Sequence, residues 1–491
     1  MSSKPVTQTQ LTTSWGAPVD DDQNSMTASE FGPIVLQDTH LIDKLAHFNR
    51  ERIPERVVHA KGAGAWGHFE VTHEVSKYTK AKFLDTVGKR TPIFVRFSTV
   101  AGEKGSADAE RDPRGFAIKF YTEEGNYDLV GNNTPVFFIR DPSKFPDFIH
   151  SQKRDPVTNC KNPDSFWDFL SQNPESCHQT TILFGDRGIP ATFRNMNGYS
   201  SHTFKWVNEV GDQFWVKVHI KTDEGIKNLS VEEAAQIKSV NPDHATQDLF
   251  ETLQKGNTVN WTFNVQIMPH DDAYKYKWNV FDVTKIWPQS DYPLIKVGKL
   301  TLNRNPENYF ADVEQAAFSP GHLVPGIEAS QDKMLQGRLF AYPDTHRHRL
   351  GVNYQQIPVN CPYRARLSNV HRDGQSNVNG NQGGRTNFNP SSVHQYATTE
   401  NAKISKLRIS GLVGRFPAGH PNCDFSQAGN LYRKVMGPEE RQRLIQNVAN
   451  HMKNSRRDLQ EAQTKIFFKC DAEFGQQLGK VLGFPARKSH L

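Results

Sequence analysis

Cysteine is scarce in this chain. Its five cysteines (Cys160, Cys177, Cys361, Cys423 and Cys470) are scattered over 491 residues and never form CxxC. That excludes a disulfide scaffold and argues against a zinc ribbon or a thioredoxin-type redox site. No apolar run approaches the ~18 residues a spanning helix needs, so no membrane segment is expected. The opening stretch, MSSKPVTQTQLTTSWGAPVDDD, lacks the apolar centre of a secretory signal, which points to a soluble protein of a reducing, intracellular compartment. A strong charge of one sign is also missing. The 59 basic and 53 acidic residues leave +6, too small an excess over this length for a dedicated nucleic-acid binder. GxSxG, HExxH, P-loop and repeat patterns are absent as well. What is present is core material: 36% of residues are hydrophobic and 31 are Phe, which excludes global disorder.

The organisation reads as four parts. Residues 1–59 are polar, with turn formers at Gly16-Ala17-Pro18 and Gly32-Pro33, and form an arm that needs another surface to lie on. Over 60–304 the dominant period is two. Phe214, Val216, Val218 and Ile220 alternate with Trp215, Lys217, His219 and Lys221, and Trp261, Phe263, Val265 and Ile267 alternate with polar residues. Ile93–Val100, Gly115–Tyr121 and Val136–Arg140 are also strand-like. Many strands without a βαβ rhythm predict an antiparallel sheet or closed barrel. Residues 305–420 show little periodicity apart from a helix near Ser330–Tyr342, which Pro343 should end or kink. A helical unit over 421–491 is marked by Pro438 and by Leu444, Val448 and Met452 at four-residue intervals.

Three segments suggest chemistry. Gly62-Ala63-Gly64-Ala65-Trp66-Gly67 matches GxGxxG, but the residues after it alternate like a strand, so there is no helix N-terminus to hold a pyrophosphate. The glycines read instead as a bend or a place of close approach to a flat ligand. Just upstream, FNRERIPERVVHA places His59 among small and apolar residues. Alone it would pass for a core histidine; in a dry pocket it can act as a general acid/base near neutral pH. In RLFAYPDTHRHR, Arg338 and Tyr342 are four apart and share a helix face. A phenol ionises near pH ~10, so a phenolate at neutrality needs about 4 kcal/mol of help. A ferric ion and an adjacent guanidinium can supply it, and tyrosine is a recognised haem ligand. His346 and His348, two apart on a helix, point away from each other and read as surface or supporting groups, while Arg347 and Arg349 could face carboxylates.

With these segments in order, the chain resembles the monofunctional haem catalases of the small-subunit type over nearly its whole length. FNRERIPERVVHAKGAGAWG is similar to the family's distal segment, RLFAYPDTH to its proximal ligand segment, and Arg96–His150 is closely family-like between them. The resemblance implies an α+β catalase fold: an eight-stranded antiparallel β-barrel with an N-terminal arm, a wrapping segment and a C-terminal helical unit. It implies disproportionation of hydrogen peroxide through an oxoferryl intermediate of ferric haem b. His59 would be the distal acid/base, Asn132 its companion, Ser98 the partner of its ring, Tyr342 the iron ligand and Arg338 the phenolate's partner. Asp332 and His202 match residues that support that arginine. Arg56, Arg96 and Arg349 match the propionate partners, Val58, Phe137 and Phe145 the apolar pocket, and Val100 and Asp112 the access channel. NADPH is a candidate second cofactor, because His178, Arg187, Asn197, His219, Lys221 and Trp287 fit the family's nucleotide site. Ile182, Gly185 and Gln289 depart from it, and the polar face carrying His219 and Lys221 is equally explained as solvated. The resemblance also implies a homotetramer. The ending Ser489-His490-Leu491 is similar to the S-K-L peroxisomal address, with the cytoplasm as the alternative. The rival functions are a haem carrier or sensor, a lipid-hydroperoxide enzyme and, third, a nicotinamide-dependent dehydrogenase.

Overall fold

The structure, a computed structural model, describes residues 8–407, 409–417 and 423–484, so Ser489-His490-Leu491 lies outside the described residues. These fall into two compact units, one ending at Glu55 and one beginning at Arg56. In the first, helix α1 (Thr39–Phe48) is capped by Asp38, whose carboxylate accepts the Leu41 N–H at 3.0 Å and the Met26 N–H at 2.8 Å. No residue of α1 is buried, and Trp15, Phe31 and Leu36 are exposed.

The second unit is built on ten strands: β1 (Gly62–Val71), β2 (Arg90–Thr99), β3 (Arg114–Thr122), β4 (Gly125–Asn132), β5 (Gly198–Tyr199), β6 (Phe204–Val207), β7 (Gln213–Thr222), β8 (Val259–Pro269), β9 (Ile295–Arg304) and β10 (Ile327–Ala329). Every pairing is antiparallel. The order β7-β5-β4-β3-β2-β1-β9-β8, closed by β7 against β8, makes an eight-stranded barrel. β6 takes the other half of the β7 edge and carries β10. Closure leaves no edge between β7 and β8 to aggregate.

Period two decides what faces where. Ile93, Val95 and Phe97 of β2, Phe116, Ile118 and Phe120 of β3, and Val216, Val218 and Ile220 of β7 fill the barrel in one apolar cluster. Their neighbours Arg96, Ser98, Gly115, Lys119 and Asn132 therefore face outward, where the rest of the chain covers them. Lys119 and Asp128 form a fully buried ion pair at 2.8 Å on this outer wall. Asp128 also accepts the Ser319 N–H at 3.0 Å and meets His322 Nδ1 at 2.7 Å, pinning residues 319–322 to the barrel. The GxGxxG residues all lie within β1, so no dinucleotide turn exists. At Gly67 a Cβ would fall 1.9 Å from the Thr301 carbonyl oxygen, at the register shift against β9, so only glycine fits.

Two expectations need correction. Val136–Arg140 is irregular rather than a strand; Phe137 N–H donates to Val283 O at 3.0 Å, but no partner strand lies beside the segment. Its run of four apolar residues reflects burial of Val136, Phe138 and Ile139. The helix near Ser330–Tyr342 runs as α7 (Lys333–Leu350), straight past Pro343. One missing N–H is outweighed by anchors beyond it: His346 Nε2 donates to Phe318 O at 2.8 Å, and Arg349 to Glu314 O at 2.7 Å.

The remaining helices are α2 (Phe145–Gln152), α3 (Pro163–Gln172), α4 (Cys177–Phe184), α5 (Val231–Val240), α6 (His244–Gln254), α8 (Ser426–Asn430), α9 (Pro438–Met452), α10 (Arg457–Cys470) and α11 (Ala472–Val481). Leu444, Val448 and Met452 are buried, as their spacing predicts. They share an apolar cluster with Trp167 of α3, Phe184 of α4 and Phe467 of α10. Among the described residues no helix is long and apolar enough to cross a membrane.

Candidate active site

The outer wall of the barrel carries one row of aligned residues. Register places Ser98 of β2 beside Gly115 of β3, Gly115 beside Asn132 of β4, and Asn132 beside Tyr199 of β5. Directly paired residues point to the same face, so Ser98 and Asn132 flank a gap where Gly115 has no side chain. The His59 ring fills it. Nδ1 of His59 lies 2.9 Å from Ser98 Oγ, and a Cβ on Gly115 would come within 2.7 Å of that nitrogen and 2.4 Å of the hydroxyl. His59 itself is left-handed, with φ +66°, a conformation of order 1 kcal/mol above the usual basins for a side chain of this size. It is held there by its N–H donating to Val100 O at 3.0 Å and its carbonyl accepting from Arg96 Nη1 at 2.8 Å. Burial, then the positive fields of Arg96, Arg338 and Arg56, push the imidazole pKa down to about 3. The ring is therefore neutral and able to accept a proton throughout the physiological range.

Beside this row lies a buried cationic group. Arg56 Nη2 donates to Val313, Glu314 and Ala316 carbonyls at 2.8–3.0 Å, and Arg349 donates to Glu314 and Ala316. Among the described residues the carboxylate paired with them is Glu314, 3.9 Å from both guanidiniums and 3.7 Å from the Lys104 ammonium. Burial, followed by repulsion from Arg96 and Arg349, lowers the Arg56 pKa well below its ordinary value. Burial brings Arg349 down to about 10 and lowers Arg96 as well. Arg56 Nη1, Arg96 Nε, Arg349 Nε and Glu314 Oε2 are buried without hydrogen-bond partners. Three buried cations facing one carboxylate make a receptor with unmet demand for about two negative charges.

Opposite, Arg338 Nη2 donates to Tyr342 Oη at 2.7 Å and to Val130 O at 3.0 Å, tying α7 to β4 two residues before Asn132. Its guanidinium carbon also sits 4.8 Å over the Tyr342 ring. The Arg338 charge is among those that lower the His59 pKa, and its bond to Val130 brings α7 against the strand that carries Asn132. Asp332 caps α7 by accepting the Leu335 N–H and meets His202 Nδ1 at 2.6 Å; among the described residues neither side chain hydrogen-bonds Arg338. Val58, Phe137 and Phe145 pack against one common apolar cluster, with the Phe137 and Phe145 rings stacked at 6.4 Å. Asp112 Oδ2 accepts the Val100 and Ala101 N–H groups at 2.6 and 2.7 Å, and burial raises its pKa. His346 is buried, and exposed His348 points elsewhere, as their spacing predicts; Arg347 is exposed as well.

The second group of candidates meets around Tyr199. One hollow is lined by Lys217, His219, Gln266 and Trp287, its neighbour by Arg187, Asn195 and Asn197, and Tyr199 lines both. Lys221 Nζ and Asn197 Nδ2 both donate to Tyr199 Oη, at 3.1 and 3.3 Å. Burial opposes ionisation of this phenol, but the Lys221 and Arg187 charges more than offset it, so its pKa falls below the usual value. Lys217 and His219 are buried, so the polar face of β7 is covered rather than solvated. His219 Nδ1 and Trp287 Nε1 lack partners, the condition of a site built for a polar ligand. His178 lines neither hollow; its Nδ1 faces Thr284 O at 3.3 Å. Gly115 and Tyr199 carry no signal in the linear sequence, because their importance comes from cross-strand register.

Comparison with known proteins gives the same answer from another direction. The family described as Catalase matches residues 12–395, and the one described as Catalase-related immune-responsive matches residues 419–482. The chain is 59% identical over 478 residues to the peroxisomal catalase of Toxoplasma gondii, covering 97% of this chain and 95% of that one. It is 60% identical over 472 residues to the catalase of Methanosarcina barkeri, covering 96% and 94%. A fungal catalase crystal structure superposes with a TM-score of 0.94 at 50% identity, over 98% of each chain. The closed barrel, the His59 and Tyr342 segments and these likenesses, each spanning more than nine-tenths of both chains, place this chain in the catalase family.

Proposed function

We propose that His59, Ser98 and Asn132 handle protons and substrate at a haem, whose iron Tyr342, supported by Arg338, would hold. The overall activity is that of the family: decomposition of hydrogen peroxide to water and dioxygen. Catalases generally bind haem, and the residues present fit one. The three buried guanidiniums with orphaned nitrogens suit the two propionates of haem b, and the aromatic and aliphatic faces of Phe137, Phe145 and Val58 suit a porphyrin plane. The haem, when bound, supplies the two-electron redox change that the reaction needs.

The chain's own residues do the rest. Peroxide enters past Val100 and Asp112, and the Asn132 amide orients it by hydrogen bonding. Neutral His59 accepts a proton at Nε2 from one peroxide oxygen and returns it to the other, so that the leaving group departs as water. Ser98 Oγ, through Nδ1, fixes the plane of that ring. The Arg338 guanidinium donates a hydrogen bond to the Tyr342 oxygen and so fixes where that oxygen stands. A second peroxide leaves as dioxygen, and its two hydrogens, passed by way of the same imidazole, make the second water with the oxygen left from the first. The observation that carries this reading is the neutral His59 ring seated between Ser98 and Asn132 on Gly115, within the field of Arg338.

Finer parts of the reading rest on the resemblance. The length of 491 residues suits the small-subunit type, and the division at 59, 304 and 420 suits arm, barrel, wrapping segment and helical tail. An arm helix with no buried residue supports a homotetramer in which partner chains cover it. The hollows around Tyr199 support NADPH as a second ligand. Ser489-His490-Leu491 supports the peroxisomal matrix over the cytoplasm. The test is an oxygen-electrode assay of haemin-reconstituted protein: one dioxygen for every two peroxides is expected, and none from a fatty-acid hydroperoxide. Peroxide consumption without oxygen would reject the reading, and absence of binding in an NADPH titration would reject the nucleotide site alone.

A further inference from the structure

Three of the five cysteines, distant in sequence, converge where the barrel-side helices meet the C-terminal ones. Cys177 opens α4 and Cys470 closes α10; both are buried, and they pack with Ala428 and Ile466 in one small apolar cluster. Cys177 is also the first cause that raises the Cys470 thiol above its ordinary pKa, ahead of burial. Cys177 Sγ in turn donates to the Asp424 carbonyl at 3.2 Å, beside exposed Cys423. The backbone around them is fixed. A Cβ on Gly429 would fall 2.1 Å from the Cys470 carbonyl oxygen, so α8 lies hard against the end of α10, and Arg433 Nη1 donates to that same oxygen at 3.2 Å. Asp424 is ion-paired with Arg140 and Lys285, which holds the loop over Cys177. Neither thiol takes part in the peroxide site described above.

We propose that Cys177 and Cys470 are a peroxide-responsive dithiol that closes to a disulfide between α4 and α10. The oxidant is the enzyme's own substrate. One thiol attacks hydrogen peroxide; the O–O bond breaks, an S–O bond forms, and water leaves, giving a sulfenic acid. The second sulfur then attacks the first; the S–S bond forms, the S–O bond breaks, and hydroxide leaves with the second thiol's proton as water. Two thiols and one peroxide become one disulfide and two waters, with both electrons supplied by sulfur. Cys177 and then burial push the Cys470 thiol up, so little thiolate exists at neutral pH and closure is slow beside turnover. The disulfide therefore builds up only when peroxide persists. It closes a loop of roughly 300 residues and joins the C-terminal helices to the helix that carries His178.

The experiment is peptide mapping of the full-length holoenzyme, fed peroxide continuously, alkylated in denaturant and digested unreduced with trypsin. Cys177, Cys470 and Cys423 fall in three separate peptides, Asn162–Arg187, Cys470–Lys480 and Phe416–Arg433. The expected result is a reducible link between the first two, absent from untreated protein and from Cys177→Ser, retained in Cys423→Ser, and accompanied by a melting midpoint about 5 °C higher. The proposal is overturned if Cys177 and Cys470 remain fully alkylatable under exposure that oxidises exposed Cys160, or if Cys470 links only to Cys423.

Discussion

At the scale of single residues, the site depends on an atom that is missing. Gly115 leaves the space in which the His59 ring stands, so Gly115→Ala puts a methyl against both Ser98 Oγ and His59 Nδ1. The ring must move by several tenths of an ångström or more, and misplacement of a catalytic group costs up to ~10²-fold. The expected result is at least a tenfold loss of peroxide turnover with haem content unchanged, measured by oxygen release per haem; wild-type turnover would mean the ring does not need that seat. His59→Ala should lose a further ~10²–10⁴-fold, the usual worth of general acid/base catalysis. Because the imidazole pKa is held near 3, activity in the wild type should be flat from pH 9 down to about pH 5. A downward inflection at the ordinary imidazole value in the pH–rate profile would show that the ring is not so insulated. His59 was legible because its segment is continuous in the chain, as were Arg338 and Tyr342, one helical turn apart. Gly115 and Tyr199 were not, since strand register alone gives them neighbours.

At the scale of elements, local rules worked where one face of a strand is buried and failed where tertiary contacts decide. β2, β3, β7 and β8 follow from alternation. Val136–Arg140 is apolar enough for a buried strand, yet among the described residues it finds no partner strand and stays irregular. Pro343 removes one backbone donor, and the sequence alone cannot show that His346 and Arg349 hold the next two turns of α7 in place. The same kind of hidden support comes from Asp128. Its carboxylate neutralises fully buried Lys119 and holds Ser319 and His322, next to the Phe318 carbonyl that receives His346. Asp128→Asn strands the lysine charge, at a cost of about 3–5 kcal/mol. A clearly lower thermal midpoint and faster loss of haem are expected, read by calorimetry and by transfer of haem to an apo-globin acceptor; an unchanged midpoint would show that the pair is not a support.

At the scale of the whole molecule, buried histidines set the acid limit. Burial is the largest cause of depression in all five of His59, His178, His219, His346 and His451, which it holds at about 3 to 4. The unfolded chain would protonate each near pH 6.5 while the folded chain does not. Unfolding therefore takes up protons below that value, and stability falls as the pH drops from about 6.5 toward 4. Each histidine contributes up to about 1.4 kcal/mol per pH unit in that window. Denaturation midpoints should be nearly constant between pH 7 and 8 and drop steeply from pH 6.5 to 5; equal midpoints at pH 7 and 5 would contradict this. Barrel closure was the least legible feature at this scale. Alternation announces strands, but the count of eight depends on β5 and β6 sharing one edge of β7, which no linear pattern encodes.

The most direct test of the account is the visible absorption spectrum of haemin-reconstituted Tyr342→Phe set beside that of the wild type. If the Tyr342 oxygen holds the iron opposite His59, the variant's Soret and charge-transfer bands shift and haem is retained more weakly. Superimposable spectra with equal haem retention would contradict the proposed ligation and the orientation of the whole site.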